Sequence, residues 1–266
     1  MNVLRRNLRF ISMLIRMKLA HLMVFRLSFF GGFLVDGTMF VTQLLMFSAI
    51  YGHLEAIGDW GRGEMLFFLG TFSLINALNM TVYFFGLGGI PGKVKSGDLD
   101  LYLTKPANPL LRLTFEGVDP GSVPLILLSI AMLGYGASIM GVTVTVWRIL
   151  GYTLLVLLMT LLYYDMEVIL RTLAFFFISA AAIGRLEGEL IDLCMKLPGT
   201  VLRGAFRLLF CLILPYGIMA TIPTQFFAGL LSPGGFFYAI GLTAAFTAFT
   251  LWFWRFGLRH YKSASS

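Results

Sequence analysis

Gly92-Lys93-Val94-Lys95-Ser96-Gly97-Asp98-Leu99-Asp100-Leu101-Tyr102-Leu103-Thr104-Lys105-Pro106 is a long charged segment, punctuated by Gly and Pro, set between two apolar runs. The runs are Met65 to Gly89 before it and Val123 to Met140 after it. A helix of about 20 apolar residues crosses the hydrocarbon core of a bilayer, and both runs approach or exceed that length. A charged loop between them must face water, and its lysines favour the cytoplasmic side. A loop so placed can take force or a signal from a soluble partner, as in one subunit of a larger machine.

The composition agrees. The chain has 266 residues, 58% of them hydrophobic and only 12% charged, with a mean hydropathy of +0.86. Soluble domains carry about 25% charged residues, so water is the wrong solvent for most of this surface. The net charge of +7 is not a nucleic-acid footprint, because the basic residues flank apolar runs as the positive-inside bias places them. The expected fold class is an all-α integral membrane protein, with residues 1–266 forming a single transmembrane domain.

Six membrane spans are expected. They are Leu27 to Tyr51, Met65 to Gly89, Val123 to Met140, Val144 to Tyr164, Val168 to Ile183 and Gly235 to Gly257. Residues 1–25 read as an amphipathic helix in the inner membrane interface. Leu4, Leu8, Ile11, Ile15, Leu19 and Leu22 form its apolar face, and Arg5, Arg9, Ser12 and Arg16 its polar face. There is no short apolar core followed by a small-residue cleavage site, so the segment does not read as a signal peptide. Residues 205–232 are apolar but contain Pro215 and Pro223. A proline removes a helical hydrogen bond, so this stretch reads as two short helices dipping into the outer leaflet and returning.

Orientation follows from the cations. With both ends inside, fourteen of the 20 Lys and Arg residues fall on inner segments, among them Arg5, Arg6, Arg9, Lys93, Lys95, Lys105, Arg171, Arg255 and Arg259. Six fall outside: Arg62, Arg148, Arg185, Lys196, Arg203 and Arg207. The short segment from Asp165 to Arg171 is the turn between the fourth and fifth spans in this scheme.

Chemistry-bearing residues are sparse. Asp36 lies about ten residues into the first span, and an intramembrane carboxylate is a functional candidate. Gln43, Asn76 and Asn79 fit interhelical hydrogen bonding or a substrate pathway. Asp165 and Glu167, and further on Glu187, Glu189 and Asp192, read as solvated helix ends and faces. Cys194 and Cys211 read as small apolar fillers or a pair. His21, His53 and His260 are isolated, so no metal-binding spacing is present. Gly86-Leu-Gly-Gly-Ile-Pro-Gly-Lys93 tempts as a phosphate loop and fails. Leu87 stands at the first Walker glycine, Val94 at the hydroxyl position, and Pro91 near the third glycine of a dinucleotide fingerprint. No nucleophile–base arrangement is present, so the chain does not read as an enzyme.

The order of features resembles the permease subunits of type-2 ATP-binding-cassette exporters. The similarity is to the bacterial branch whose inner loop reads Ser-Gly-(Asp/Glu)-Leu-Asp-x-x-Leu-x-(Arg/Lys)-Pro, here Ser96, Gly97, Asp98, Leu99, Asp100, Leu103, Lys105 and Pro106. Leu197-Pro198-Gly199-Thr200-Val201-Leu202-Arg203, Leu214-Pro215 and Ile222-Pro223 also match it. The resemblance implies a multi-pass protein of the bacterial cytoplasmic (inner) membrane with both termini cytoplasmic, paired with a second permease, identical or sister. A cytoplasmic ABC ATPase dimer would bind the ATP and magnesium, with no cofactor on this chain. Residues 91–116 would be the coupling loop. In it Pro91 and Pro106 would bound the docking element, Lys93, Lys95, Asp98, Asp100 and Lys105 would set register, and Leu99, Leu101, Tyr102 and Leu103 would act as apolar anchors. Pro215 and Pro223 would belong to an outer gate. The rival reading is an ion-coupled secondary carrier using Asp36.

Overall fold

The computed structural model describes residues 3–24, 34, 37–38, 41–42, 44–49, 51–53, 56, 60–106, 108–177 and 180–261. No β-strand occurs among them. The first expected span lies mostly outside the described residues, and so do Asp36 and Gln43. Its described positions at 34, 37–38, 41–42 and 44–49 are helical.

The N-terminal helix α1 (Val3–Val24) is followed by α2 (Arg62–Asn79). A π-helical turn at Met80–Phe84 joins α2 to the short helices α3 (Phe85–Gly88) and α4 (Ile90–Ser96). Then come α5 (Asp100–Leu103), α6 (Pro109–Glu116), α7 (Val123–Met140) and α8 (Val146–Thr172). The chain ends with α9 (Ala180–Lys196), α10 (Gly204–Leu208), α11 (Tyr216–Met219), α12 (Thr221–Ala228) and α13 (Pro233–His260). Among the described residues, four continuous helical stretches are long and apolar enough to cross a membrane: Arg62–Ser96, Pro120–Met140, Val146–Phe175 and Pro233–His260. A fifth candidate, Gly204–Ile213 with Tyr216–Ala228, is bent by 76°.

Two sequence expectations need correction. The turn expected at Asp165–Arg171 does not exist, because α8 runs unbroken from Val146 to Thr172. Its charges are compensated inside the bundle, so the helix has no reason to end there. The span expected at Val168 to Ile183 is therefore divided. Its first turn closes α8, and its last residues open α9, a helix of 17 residues that carries Arg185, Glu187, Glu189 and Asp192. The second correction concerns Pro223. It is the third residue of α12, in the first turn, where the missing N–H has no intrahelical partner to lose. The 76° bend lies at Pro215, between the π-turn Leu209–Ile213 and α11, and a smaller interruption at Ala220 separates α11 from α12.

The centre of the molecule is the antiparallel pair α2 and α7, together with α8. Small residues set the spacing. A Cβ at Gly136 would stand 2.8 Å from the backbone nitrogen of Phe67, and one at Gly70 3.1 Å from the Leu133 side chain. In lipid, where apolar surface brings no solvent-driven attraction between helices, such close approach supplies the packing energy. Hydrogen bonds add to it. Thr71 Oγ1 lies 3.0 Å from Tyr152 Oη, and Thr224 donates to the same Thr71 oxygen at 3.4 Å. This ties α2, α8 and α12 together. Lower in the bundle Tyr83 donates to the Thr160 carbonyl at 3.0 Å, and Thr247 of α13 donates to Asp165 Oδ2 at 2.6 Å.

The rising arm of the bent pair leans on α8. Phe227 stacks edge-on against Tyr152 with ring centroids 5.6 Å apart, and Tyr216 against Tyr163 at 6.0 Å. Eleven residues of α8 separate those two tyrosines, a rise of roughly 16 Å. The bend at Pro215 thus sits about two-thirds of the way along α8, and the arm climbs back toward its start.

Gly136→Val is expected to overpack the α2–α7 contact by about 1–3 kcal/mol. Its thermal midpoint in detergent should fall by several degrees. Gly134→Ala, where a Cβ meets nothing within 4 Å, is the matched control and should unfold at or above the parent midpoint.

Candidate functional site

The inner loop is a folded element. Pro91 stands in the first turn of α4, and Gly97, at φ 80°, takes the left-handed conformation that ends the helix without strain. The Leu99 amide then closes on the Lys93 carbonyl at 3.2 Å. Asn108 caps α6, its side-chain oxygen accepting from the amides of Leu110 and Leu111 at 3.0 and 3.3 Å, and Pro109 supplies the preset first residue.

Glu116 at the end of α6 pins the loop. Its carboxylate takes the Lys93 ammonium at 2.9 Å and the Tyr102 hydroxyl at 2.8 and 3.0 Å. The Arg112 guanidinium lies 4.2 Å from the Tyr102 ring centroid, a cation–π contact. Burial first, and the bond to Glu116 second, push the Tyr102 phenol up to about 12. A raised phenol pKa means the bond is intact below the ordinary value near 10 and is lost only as pH climbs through about 12. Burial, and then the Asp100 carboxylate, also raise the phenol of Tyr261, beyond the end of α13.

The loop residues divide into two faces. Leu99 is 0% exposed, packed with Tyr83, Leu87, Ile90, Leu113, Val168 and Trp254. It belongs to the chain's own core. Leu101, at 61% exposed, and Leu103, at 39%, do face out. Lys95, Asp98, Lys105 and Pro106 are exposed beside them. Asp98 accepts from Ser96 Oγ at 2.6 Å. Gly86, from the rejected phosphate-loop motif, is helical, and a Cβ there would stand 2.1 Å from the Leu113 carbonyl oxygen. It is glycine so that two backbones can meet.

A second cluster escaped sequence reasoning. Arg171 of α8 pairs with Glu167 at 2.8 Å and with Glu187 of α9 at 2.9 Å. Glu187 also accepts from Tyr216 Oη at 3.1 Å. Glu167 is 0%, Glu187 3% and Arg171 9% exposed, so the reading of these acids as solvated is overturned, as it is for the buried Asp165. The Glu167–Arg171 spacing of four residues is a legible helical ion-pair signal. The third member is brought in only by the packing of α9. Asn79 is fully buried facing Tyr163, and Asn76 makes only a long contact to Met80 Sδ at 3.9 Å. Pro215 and Pro223 are both buried. Cys194 and Cys211 are both free thiols.

Long apolar helices packed through glycine approach and interhelical hydrogen bonds make this a multi-pass membrane protein. The chain belongs to the ABC-2 family transporter proteins, whose family model matches residues 38–265. It is a transmembrane transporter subunit, of a family whose membrane component is generally non-catalytic and works with an ABC ATPase. No curated protein and no solved structure matches the chain.

Arg171→Met leaves two buried carboxylates facing each other, and is expected to cost about 3–5 kcal/mol. Replacing Glu167, Arg171 and Glu187 together by Met should recover most of that loss. Thermal unfolding of the two variants in detergent makes the comparison.

Proposed function

We propose that this chain is the membrane subunit of an ATP-driven exporter of the bacterial cytoplasmic membrane. It forms the substrate pathway together with a second permease, identical or sister. A separate cytoplasmic ABC ATPase dimer binds and hydrolyses ATP with magnesium and docks on the inner loop. The observation that carries this reading is the loop's division into two faces. Leu99 anchors it to the inner ends of α8 and α13, the Glu116 hub holds its shape, and Leu101 and Leu103 stand out among charged neighbours. A small apolar centre ringed by charges is what a docking knob requires.

Six crossings with both ends inside fit this role, in a revised form. The first is the expected Leu27 to Tyr51, most of which lies outside the described residues, and in place of the expected Val168 to Ile183 stands Ala180–Lys196. Its lower half meets Arg171 through Glu187, and its upper half packs Ile191 and Met195 against the Trp60–Met65 cluster. Helix α1 lies along the inner interface, with Arg9 and Arg16 exposed toward anionic headgroups. The bent pair hinged at Pro215 is the outer re-entrant element and gate. The ion-coupled carrier built on Asp36 draws no support from the family match.

Purification of the tagged chain from its host, with its neighbours untagged, is expected to recover an ABC ATPase. Leu101→Asp with Leu103→Asp should abolish that recovery while the subunit remains folded. Retention of the ATPase by this double variant, or labelling of Lys95→Cys by a membrane-impermeant maleimide added outside intact cells, overturns the docking assignment.

A further inference from the structure

A cavity of about 630 Å³ opens between the two arms of the bent pair and the start of α13. That volume is in the range of ligand sites, roughly 300–1,000 Å³. Its apolar wall includes Leu208, Leu212, Ile218 and Ile222, and its polar edge Arg207, Gln225, Ser232 and Tyr238. No carboxylate lines it, and Arg207 joins no ion pair among the described residues. The unopposed cation is therefore the dominant charge of the space. Arg207 and Cys211 are one helical turn apart and line the same cavity. The cavity walls are held in place: Tyr238 donates to the Cys211 carbonyl across it, and Thr221 takes the Gly199 amide at 2.9 Å while donating to the Gly217 carbonyl at 2.7 Å.

We infer that this cavity binds an anionic amphiphile, its acid group on Arg207 with Gln225 and Ser232 in reach, and its apolar body along Leu208, Leu212, Ile218 and Ile222. A guanidinium recognises carboxylate or phosphate through charge-assisted, often bidentate hydrogen bonds. The absence of any lining acid disfavours a cationic or zwitterionic ligand whose positive end would meet Arg207. The inference stands on this cavity and is independent of which ATPase meets the inner loop. Two sources share the chemistry, an anionic lipid of the surrounding leaflet and a soluble amphiphilic acid.

Cys211 is a native reporter, since its residue lines the cavity and the other cysteine, Cys194, is removed as Cys194→Ala. The full chain in phosphatidylcholine nanodiscs is treated with N-ethylmaleimide, with and without decanoate below its micellar range. Decanoate is expected to slow Cys211 alkylation, and decyltrimethylammonium to leave it unchanged. Arg207→Gln should raise the decanoate concentration needed for protection by about tenfold, the worth of one charge-assisted hydrogen bond. If nanodiscs containing phosphatidylglycerol already show slow alkylation without decanoate, the lipid headgroup is the source; if only decanoate protects, it is a soluble acid. Thr200→Cys in a Cys194→Ala, Cys211→Ala chain repeats the measurement from the opposite wall. The inference is overturned if neither anion protects either reporter, if the quaternary ammonium protects equally, or if Arg207→Gln leaves protection unchanged.

Discussion

Arg171 is held between Glu167 and Glu187 at 2.8 and 2.9 Å in the middle of a helical bundle. The rest of the structure is arranged around that fact. Removing ions from water costs several kcal/mol each, and their attraction offsets this only with good geometry and further hydrogen bonds. Here the geometry comes from three separate elements. Helix α8 carries two of the ions four residues apart, α9 brings the third, and Tyr216 at the foot of the rising arm adds a hydroxyl bond to Glu187. A buried ion group of this kind fixes which neighbours can be adjacent. Apolar faces could slide along one another; this triad cannot.

The same turns of α8 serve the inner loop. Val168, next to Glu167, is fully buried against Leu99, Leu113 and Trp254. One stretch of helix therefore seats the loop on one side and the charged triad on another. The loop is tied down by apolar contact through Leu99 and by charge through Glu116, two mechanisms with different dependence on solvent. Both contacts fix the shape of the short exposed segment that carries Leu101 and Leu103. Without Glu116 the Lys93 ammonium and the Tyr102 hydroxyl would lose the carboxylate that joins them.

The sequence made the membrane class, most of the long spans and the charged loop between two of them legible, since hydropathy and proline need no tertiary information. It misplaced the interior of α8. Asp165, Glu167 and Arg171 look like a water-facing turn because charges in an apolar run signal an end. Here they are paired or hydrogen-bonded to residues as far away as Glu187 and Thr247. The spacing of Glu167 and Arg171 was readable. The choice of Glu187 over Glu189 or Asp192 depends on which face of α9 meets α8, and a sequence does not state that. The burial of Leu99 was not legible for a similar reason. Nothing in the motif separates the leucine that anchors the loop from the two that project.

The bent pair shows how backbone irregularity survives in a membrane protein. Unsatisfied amides and carbonyls in hydrocarbon are too costly to expose, so a break must be covered by protein. Residues 215–224 are buried throughout, whereas the other arm is exposed from Gly204 to Leu208. At the break itself the Leu214 amide reaches back to the Leu209 carbonyl at 2.7 Å, and the Tyr216 amide to Leu214 at 2.6 Å. Gly199 lies against Gly217 so closely that a Cβ there would stand 2.5 Å from the Gly217 carbonyl oxygen. The covering elements are thus α8, α9 and the Gly199 turn on one side only. On the side toward α13, between an exposed arm and a buried one, the Arg207 cavity opens.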